Sequence, residues 1–456
     1  MGVFRYRAVC GTSAAASTLI RGSPRAESST NARGDESNGV GPFRHFAAVA
    51  MMHGHATSEF VCAKCFDDEG MQEFVANHAE NTECDFCGDI SDRPIAAPFD
   101  DVTEHIAACI GRFYDDPSNA GLAYETREGG WQGATYTTHE IFDELGLDFP
   151  NDDSGRLRDE IASAMPTDLW SDAEPYRLNV DEQLRYSWEA FCRVINHELR
   201  YFFVQNKRDD DDDDEIYGPR EILQLIFSYA KRAGAFVTMP RGTHLYRARH
   251  QPDGEAYVSA AQLGSPPVEH AIQTNRMSPP GIVMTYLADD PETALAETSN
   301  TPGTFALGEF VTERDALILD LTQLPPVPSL FAELSDTLEY DPRPALNFLH
   351  TISREISRPI ARDDRVHIEY VPTQVVTEFV RTTVALGKQA VEGIRYKSSR
   401  PGARTAVVLF ADRSNLVLEK NDQPQFYHLQ KDHWLRLHKA TVKTVSEQDI
   451  ARWTDV

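Results

Sequence analysis

The sequence contains no apolar run approaching the roughly 18 residues that a membrane-spanning helix needs, so no membrane partner is expected. It is also short of positive charge: 44 Lys and Arg stand against 71 Asp and Glu, a formal net charge of −27. Phosphate backbones are gripped by clustered cations. A chain this acidic is a poor candidate for non-specific nucleic-acid binding, and a local arginine cluster in it stands out. Cysteine is scarce, seven in 456 residues, and is not arranged as a secreted disulfide framework. A reducing, cytoplasmic setting is the expectation. No internal repeat is evident. What remains is an ordinary apolar content of 41% in a chain long enough for two or three domains with a substantial core.

Residues 1–50 are rich in Ser, Ala, Gly and Arg, with only three acidic residues. They lack the apolar region and cleavage signal of a secretory leader, and residues 1–57 are expected to be an unstructured or non-native extension. Residues 58–95 carry four of the cysteines. Residues 96–235 read as a helical domain. Val102, Ile106, Cys109, Ile110 and Phe113 recur at helical spacing. Thr137 and Glu140 make the capping-box pattern for a helix ending near Gly146. Residues 187–203 read as an aromatic-rich helix, and Pro219 and Gly234 bound another. Between these two lies the acidic run Asp209–Glu215. It has none of the turn residues of a calcium loop and reads as a solvated linker.

After Met239-Pro240 the composition changes. Short β-rich runs, "THLYRAR", "GIVMTYLA", "ALILDL" and "TAVVLF", alternate with helical stretches at 341–357 and 373–386. An α+β domain is expected over 236–420, followed by a tail over 421–456.

"CAKC" and "CDFC" place Cys62, Cys65, Cys84 and Cys87 in two C-x2-C pairs separated by 18 residues. That spacing is a zinc pattern, and four thiolates complete a tetrahedral Zn²⁺ shell. A closed shell leaves no position for water, so the expected zinc is structural. No Lys or Arg lies between the pairs, which weighs against a nucleic-acid finger.

Four short patterns carry the candidate chemistry. "HLYRAR" ends a strand with Arg247 and Arg249. "NRMSPPG" sets Arg276 in a turn ahead of the apolar run Ile282 to Leu287. "DDPETALAE" opens a helix with Asp290 as N-cap and Pro291 at its first position, and puts Glu297 two turns in. "GIRYKSSRPG" puts Tyr396, Ser398, Ser399 and Arg400 in a turn feeding the TAVVLF strand. Singly each has a plain structural reading: a surface arginine, a solvated glutamate, turn serines.

Together, over residues 240–415, these segments resemble the RES family, named for its Arg, Glu and Ser. "LYRAR" matches the opening strand, "NRMSPPGIVMTYLADDPETALAE" the long central block, and "VEGIRYKSSRPG" the serine segment. Met277 stands where an aromatic commonly follows the second arginine, and Glu392 where Asp is frequent. The resemblance implies a compact ADP-ribosyltransferase-like fold and a toxin-like enzyme that destroys NAD⁺ by phosphorolysis or hydrolysis of the nicotinamide–ribose bond. It implies catalytic roles for Arg247, Glu297 and Ser398, and NAD⁺ contacts from Tyr246, Arg249, Arg276, Tyr286 and Tyr396. Inorganic phosphate would be a co-substrate in the phosphorolytic case, with Arg249 or Arg400 near it. An antitoxin or other regulatory protein is the implied partner.

The chemistry is consistent with that assignment. Guanidinium forks suit the oxygens of a pyrophosphate. A carboxylate stabilises the positive charge that builds on ribose as nicotinamide leaves. Protein ADP-ribosyl transfer, a catalytically silent nucleotide sensor, and a purely structural Glu297–Arg247 ion pair are the alternatives. The preceding helical region resembles the HEPN-like domain found attached to RES domains. Arg193 and His197 have three residues between them, fewer than in active HEPN ribonucleases. His197 is expected to be a satisfied interior or interface histidine.

Overall fold

The computed structural model describes residues 59–127, 129–201, 215–334, 340–359, 365–400, 402, 404–423 and 432–454. The 1–57 extension and all of the acidic run except Glu215 lie outside them. The α+β expectation holds. The centre of the molecule is a nine-stranded mixed sheet built from β1 (Phe236–Met239), β2 (His244–His250), β3 (Thr285–Ala288), β4 (Gly303–Thr312), β5 (Ala316–Asp320), β6 (Gly393–Lys397), β7 (Thr405–Leu409), β8 (Leu416–Val417) and β9 (Leu435–Val445). Its spatial order is β8-β9-β4-β2-β3-β7-β6-β5-β1. The pairs β5–β6 and β8–β9 are parallel and the rest antiparallel.

Ahead of the sheet come α1 (Glu69–Asn77), α2 (Phe99–Ile110), α3 (Thr138–Leu145), α4 (Arg156–Ala164), α5 (Val180–Arg193) and α6 (Pro219–Arg232); with it come α7 (Pro291–Thr298), α8 (Pro342–Ser357), α9 (Val371–Thr383) and α10 (Glu447–Thr454). Local chemistry sets most of the boundaries. Thr137 and Glu140 cap α3 reciprocally, and Gly146 ends it in the left-handed region at φ 67°. Asp290 accepts from the Thr293 amide at the start of α7, with Pro291 at its first position. Asp341 does the same for α8.

Several expected boundaries shift. The aromatic helix begins at Val180, behind an Asn179–Glu182 capping box, and runs into a π-turn over Val194–Glu198 instead of continuing to 203. The strand expected over Ile282–Leu287 is confined to Thr285–Ala288, because Pro279, Pro280 and Gly281 (φ 87°) hold the chain in a turn before it. Residues 99–235 are not purely helical; they include a three-stranded sheet of 114–115, 136–137 and 169–172. Residues 435–454, set apart in sequence as part of a tail, form β9 and α10, and β9 pairs with β4 along ten residues.

The cores cut across the expected segments. One joins the cysteine-rich stretch to α1–α4 and Trp170. A second packs α5 and α6 with α8, α9 and one face of the sheet, so the helical region divides between two cores. A third fills the opposite face around Leu245, Leu263, Phe310 and Leu409. The first core also contains Phe331, which is fully buried and comes from the segment between β5 and α8.

That segment is pinned from both sides. The Phe331 carbonyl oxygen lies 2.7 Å from His105 Nε2, and Ser329 Oγ donates to Asp68 at 2.6 Å. Arg343, itself paired with Asp341 at 2.7 Å, donates to the carbonyls of Ser329 and Leu330 at 3.1 and 2.6 Å. The passage is tight at Gly70 on α1. A Cβ there would sit 2.4 Å from the Ala332 nitrogen and 2.8 Å from the Phe331 carbonyl carbon. Gly70→Ala is therefore expected to destabilise the protein by about 1–3 kcal/mol through overpacking against backbone, measured as a lowered urea midpoint with unchanged slope. A midpoint within error of wild type would mean that this crossing is not part of the native state.

Candidate active site

The site begins with how β2 is paired. Along its whole length β2 is bonded to β4, but its register with β3 consists of the single pair Tyr246–Ala288. Past that pair a cavity of about 1020 Å³ opens, at the upper end of the roughly 300–1,000 Å³ typical of small-molecule sites. Arg247, Arg249, Arg276, Tyr246, Tyr286, Glu297, Tyr396, Ser399 and Arg400 all line it. Segments more than 150 residues apart in sequence thus converge on one space. Four arginines and one carboxylate supply its formal charge among the described residues, so it is cationic in a chain of net charge −27.

Each arginine is held differently. Arg247 donates to the Leu263 carbonyl at 3.4 Å and makes no ion pair among the described residues. The structural alternative of an Arg247–Glu297 salt bridge is therefore not realised. Burial, reinforced by the Arg249 charge, lowers the Arg247 guanidinium to about 10, which leaves it charged at neutral pH. Arg249 donates to the Gln262 carbonyl and lies over the Tyr257 ring at 5.5 Å. Arg276 uses Nη1 to cap the C-terminal end of α8, donating to the carbonyls of Ile356 and Arg358 at 2.8 and 2.6 Å. The guanidinium also lies over the Tyr370 ring at 5.6 Å, and its Nε and Nη2 make no hydrogen bond among the described residues. The backbone around it is fixed by α9: Thr373 Oγ1 donates to the Arg276 carbonyl at 2.5 Å, and Gln374 donates to the Asn275 carbonyl at 2.7 Å.

Glu297 sits near the end of α7, where Ala294 and Ala296 are buried against the sheet. Ser398, two residues past Tyr396, donates its hydroxyl to Glu297 Oε1 at 2.5 Å and accepts from the Arg400 amide at 3.2 Å. Ser398 reaches the cavity through Glu297 and is absent from its wall, whereas Ser399 is part of it. Arg400 donates to Asn300 Oδ1 at 2.6 Å. Tyr286 has its hydroxyl 3.0 Å from Ser278 Oγ and accepts from the Met277 amide at 3.3 Å; burial raises it to about 12. Tyr396 is raised well above its usual range by burial and then by the Glu297 charge. Both phenols stay neutral at physiological pH; the Tyr286 ring is half-buried, whereas Tyr396 is only 6% exposed. The Tyr246 hydroxyl points to Glu309 at 3.5 Å.

The two departures from the family pattern are structural. Met277 is completely buried beneath the Tyr286 hydroxyl. Glu392 forms a bidentate pair with Arg314 at 2.5 and 2.7 Å, away from the cavity wall. The sequence reading missed His250, Asn300, His367, Tyr370, Trp453 and Thr454, which also line the space. None stands inside a recognisable motif; their placement comes from packing alone.

Among the described residues of the helical region, Arg193 and His197 do not come together as a site. Arg193 pairs with Glu198 at 3.5 Å, and His197 is exposed on the π-turn. Of the interior or interface position expected for His197, the interior one is not found: the i to i+5 turn, closed by Leu199 N–H to Val194 O at 2.8 Å, carries it outward.

The four cysteines of the N-terminal core do form a cluster. Their sulfurs all lie within 4.8 Å of one another. Cys62–Cys65, Cys62–Cys87 and Cys65–Cys84 are 3.8, 3.5 and 3.7 Å apart. A disulfide would be about 2.05 Å; a tetrahedron of about 2.3 Å metal–sulfur bonds has edges of about 3.8 Å. The Cys62 amide also donates to Cys84 Sγ at 3.3 Å. The geometry fits a tetrahedral metal.

A mixed sheet split beside a cationic, tyrosine-lined cavity is a setting suited to an anionic small molecule. Comparison with known families gives the assignment: residues 244–432 are a RES domain, and residues 77–209 are a HEPN/RES N-terminal domain 1. RES domains are associated with NAD-processing enzymes. No curated protein and no solved structure matches the chain. No helix among the described residues is long and apolar enough to cross a membrane.

Proposed function

We propose that the cavity binds NAD⁺ and cleaves its nicotinamide–ribose bond on an ADP-ribosyltransferase-like scaffold, with phosphate or water as acceptor. The observation that carries this reading is the convergence of Arg247, Arg249, Arg276 and Arg400 with a Ser398-oriented Glu297 around one dinucleotide-sized space. The arginines hold the pyrophosphate, with Arg276 pre-set by the carbonyls at the end of α8. Tyr286 and Tyr396 bracket the nicotinamide side. The C1′–N bond breaks with its electron pair on nicotinamide, which leaves neutral. Glu297 faces the cationic ribose, and a phosphate or water oxygen closes on C1′. Ser398 fixes the carboxylate oxygen that does this.

The toxin-like role, and an antitoxin that restrains it, follow from the same proposal. A structural Zn²⁺ held by Cys62, Cys65, Cys84 and Cys87 is proposed on the sulfur geometry. When bound it would cross-link two loops of the N-terminal core.

The test is nicotinamide release from NAD⁺ by the purified chain, with and without inorganic phosphate. Release that rises with phosphate and yields ADP-ribose 1″-phosphate identifies phosphorolysis; phosphate-independent ADP-ribose identifies hydrolysis; label retained on protein identifies ADP-ribosyl transfer. No NAD⁺ loss in any arm would overturn the enzymatic reading. Arg276→Gln is expected to raise KM for NAD⁺ about 10- to 150-fold, the worth of a charge-assisted hydrogen bond. Its kcat should fall far less. An unchanged KM would remove Arg276 from the substrate's binding site.

A further inference from the structure

Gln273, Thr274, Asn275 and Arg276 supply one stretch of the cavity wall, and they lie in no strand or helix. They belong to a loop that closes on itself, the Gly281 amide donating to the Ala271 carbonyl at 2.6 Å. Its apolar anchor is Met277, completely buried in the core that α5 and α6 share with α8 and α9. Its polar anchors come from the first turn of α9. Gln374 is only 8% exposed, and its Nε2 donates twice, to Thr274 Oγ1 at 3.0 Å and to the Asn275 carbonyl at 2.7 Å. A carbonyl can only accept, so the side-chain amide must turn its nitrogen this way. Thr373 Oγ1 fixes the next carbonyl, that of Arg276. α9 is itself seated by Val371, Val376 and Val380, in the same core as Phe191 and Ile195 of α5. With Nη1 tied to the end of α8 and the backbone tied to α9, both ends of the Arg276 side chain are set before a ligand arrives. Gln374 is absent from the cavity wall. It can reach a ligand only through the segment it holds.

We infer that Gln374 is a positioning residue of the substrate site, holding the 274–276 backbone so that Arg276 meets the diphosphate already ordered. This rests on the NAD⁺ reading above and deepens it. Without the two donors, the loop loses its bonds to a buried partner and the Asn275 carbonyl turns to water. Arg276 is then ordered only when the ligand binds, and binding carries that cost. The diphosphate is gripped alike in the ground state and the transition state. Loss of Gln374 therefore raises KM and leaves kcat in place.

The experiment measures calorimetric binding of ADP-ribose and of inorganic pyrophosphate, with NAD⁺ kinetics alongside. Wild type is compared with Gln374→Met, Gln374→Glu, Arg276→Gln and the Arg276→Gln/Gln374→Met double variant. Gln374→Met keeps the side-chain length and removes both donors. It should weaken both ligands about tenfold, the worth of one to two hydrogen bonds, and raise KM for NAD⁺ by the same factor with kcat within about twofold. In the Arg276→Gln background the same change should add less than about twofold, because the two residues act as one unit. Gln374→Glu separates hydrogen bonding from packing. Its carboxyl regains one donor when protonated, so affinity relative to wild type should recover as the pH falls from about 8 to about 5. Gly70→Ala, destabilised in the other core, is the folding control and should bind as wild type does. Wild-type affinity in Gln374→Met, its full loss repeated in the Arg276→Gln background, or a matching loss in Gly70→Ala would each overturn the assignment. If pyrophosphate binding shows the expected dependence while no NAD⁺ is cleaved, the positioning role stands and the enzymatic reading fails. If wild type binds neither ligand, the anion site and the role of Gln374 fall together.

Discussion

Glu297→Gln is expected to lower NAD⁺ turnover by two to three orders of magnitude or more while leaving the protein folded and able to bind ADP-ribose. The substitution is close to isosteric. The amide oxygen can still accept from Ser398, whose hydroxyl lies 2.5 Å from Oε1, so the local hydrogen bond survives. What disappears is the only formal negative charge among the described residues lining a cavity that holds four arginines. Removing a preorganised group aimed at developing charge costs roughly 10²–10³ in kcat. Because that charge exists mainly in the transition state, kcat should fall and KM should change little. Steady-state nicotinamide release by wild type and variant measures both. A variant retaining activity within about threefold of wild type would show that the carboxylate has no part in bond cleavage.

Loss of the proposed zinc is the second large effect. Cys62, Cys65 and Cys84 are at most 2% exposed and are packed among Val61, Phe66 and Phe74. Four thiolates held this close repel one another unless protonated or bound to a cation. Structural Zn²⁺ is worth about 10–16 kcal/mol of apparent binding energy in small modules at neutral pH, comparable to the whole stability of a domain. Purified protein should carry one zinc per chain by elemental analysis. Cys62→Ser/Cys65→Ser should abolish soluble expression or uncouple an early unfolding transition for the N-terminal core. The same core takes in Phe331, from the segment ahead of α8. Activity should therefore fall along with it, although none of these four cysteines lines the cavity. Metal-free protein with an unchanged melting curve under reducing conditions would remove zinc from the account.

The legible parts of the sequence were those governed by neighbours along the chain. Asp290-Pro291 placed the start of α7, Thr137 and Glu140 capped α3, and the C-x2-C pairs met in space. Each depends on contacts within a few residues or on an unusually restrictive spacing. The misplaced boundaries have the opposite origin. The π-turn that carries His197 outward follows from how α5 ends among its packing partners, and the short β3 from a proline-glycine turn competing with an apolar run. Residues 421–456 read as a tail in sequence because β9 within them alternates weakly and gains its identity only from pairing with β4.

By itself the sequence determined which chemistry is present: two arginines on one strand, a third in a turn, a glutamate on a capped helix, and a serine after a buried tyrosine. Those residue types in that order are a property of the chain. Only the tertiary structure decided that β2 and β3 would part at a single pair to make room for a ligand. It also determined that the last helix would contribute to the wall of that room, and that Phe331 would join the RES domain to the cysteine core. The physical reason is range. Caps, turns and paired cysteines are set by short-range geometry, whereas a cavity is the space left by strands and helices whose positions follow from burying apolar faces contributed from across the chain.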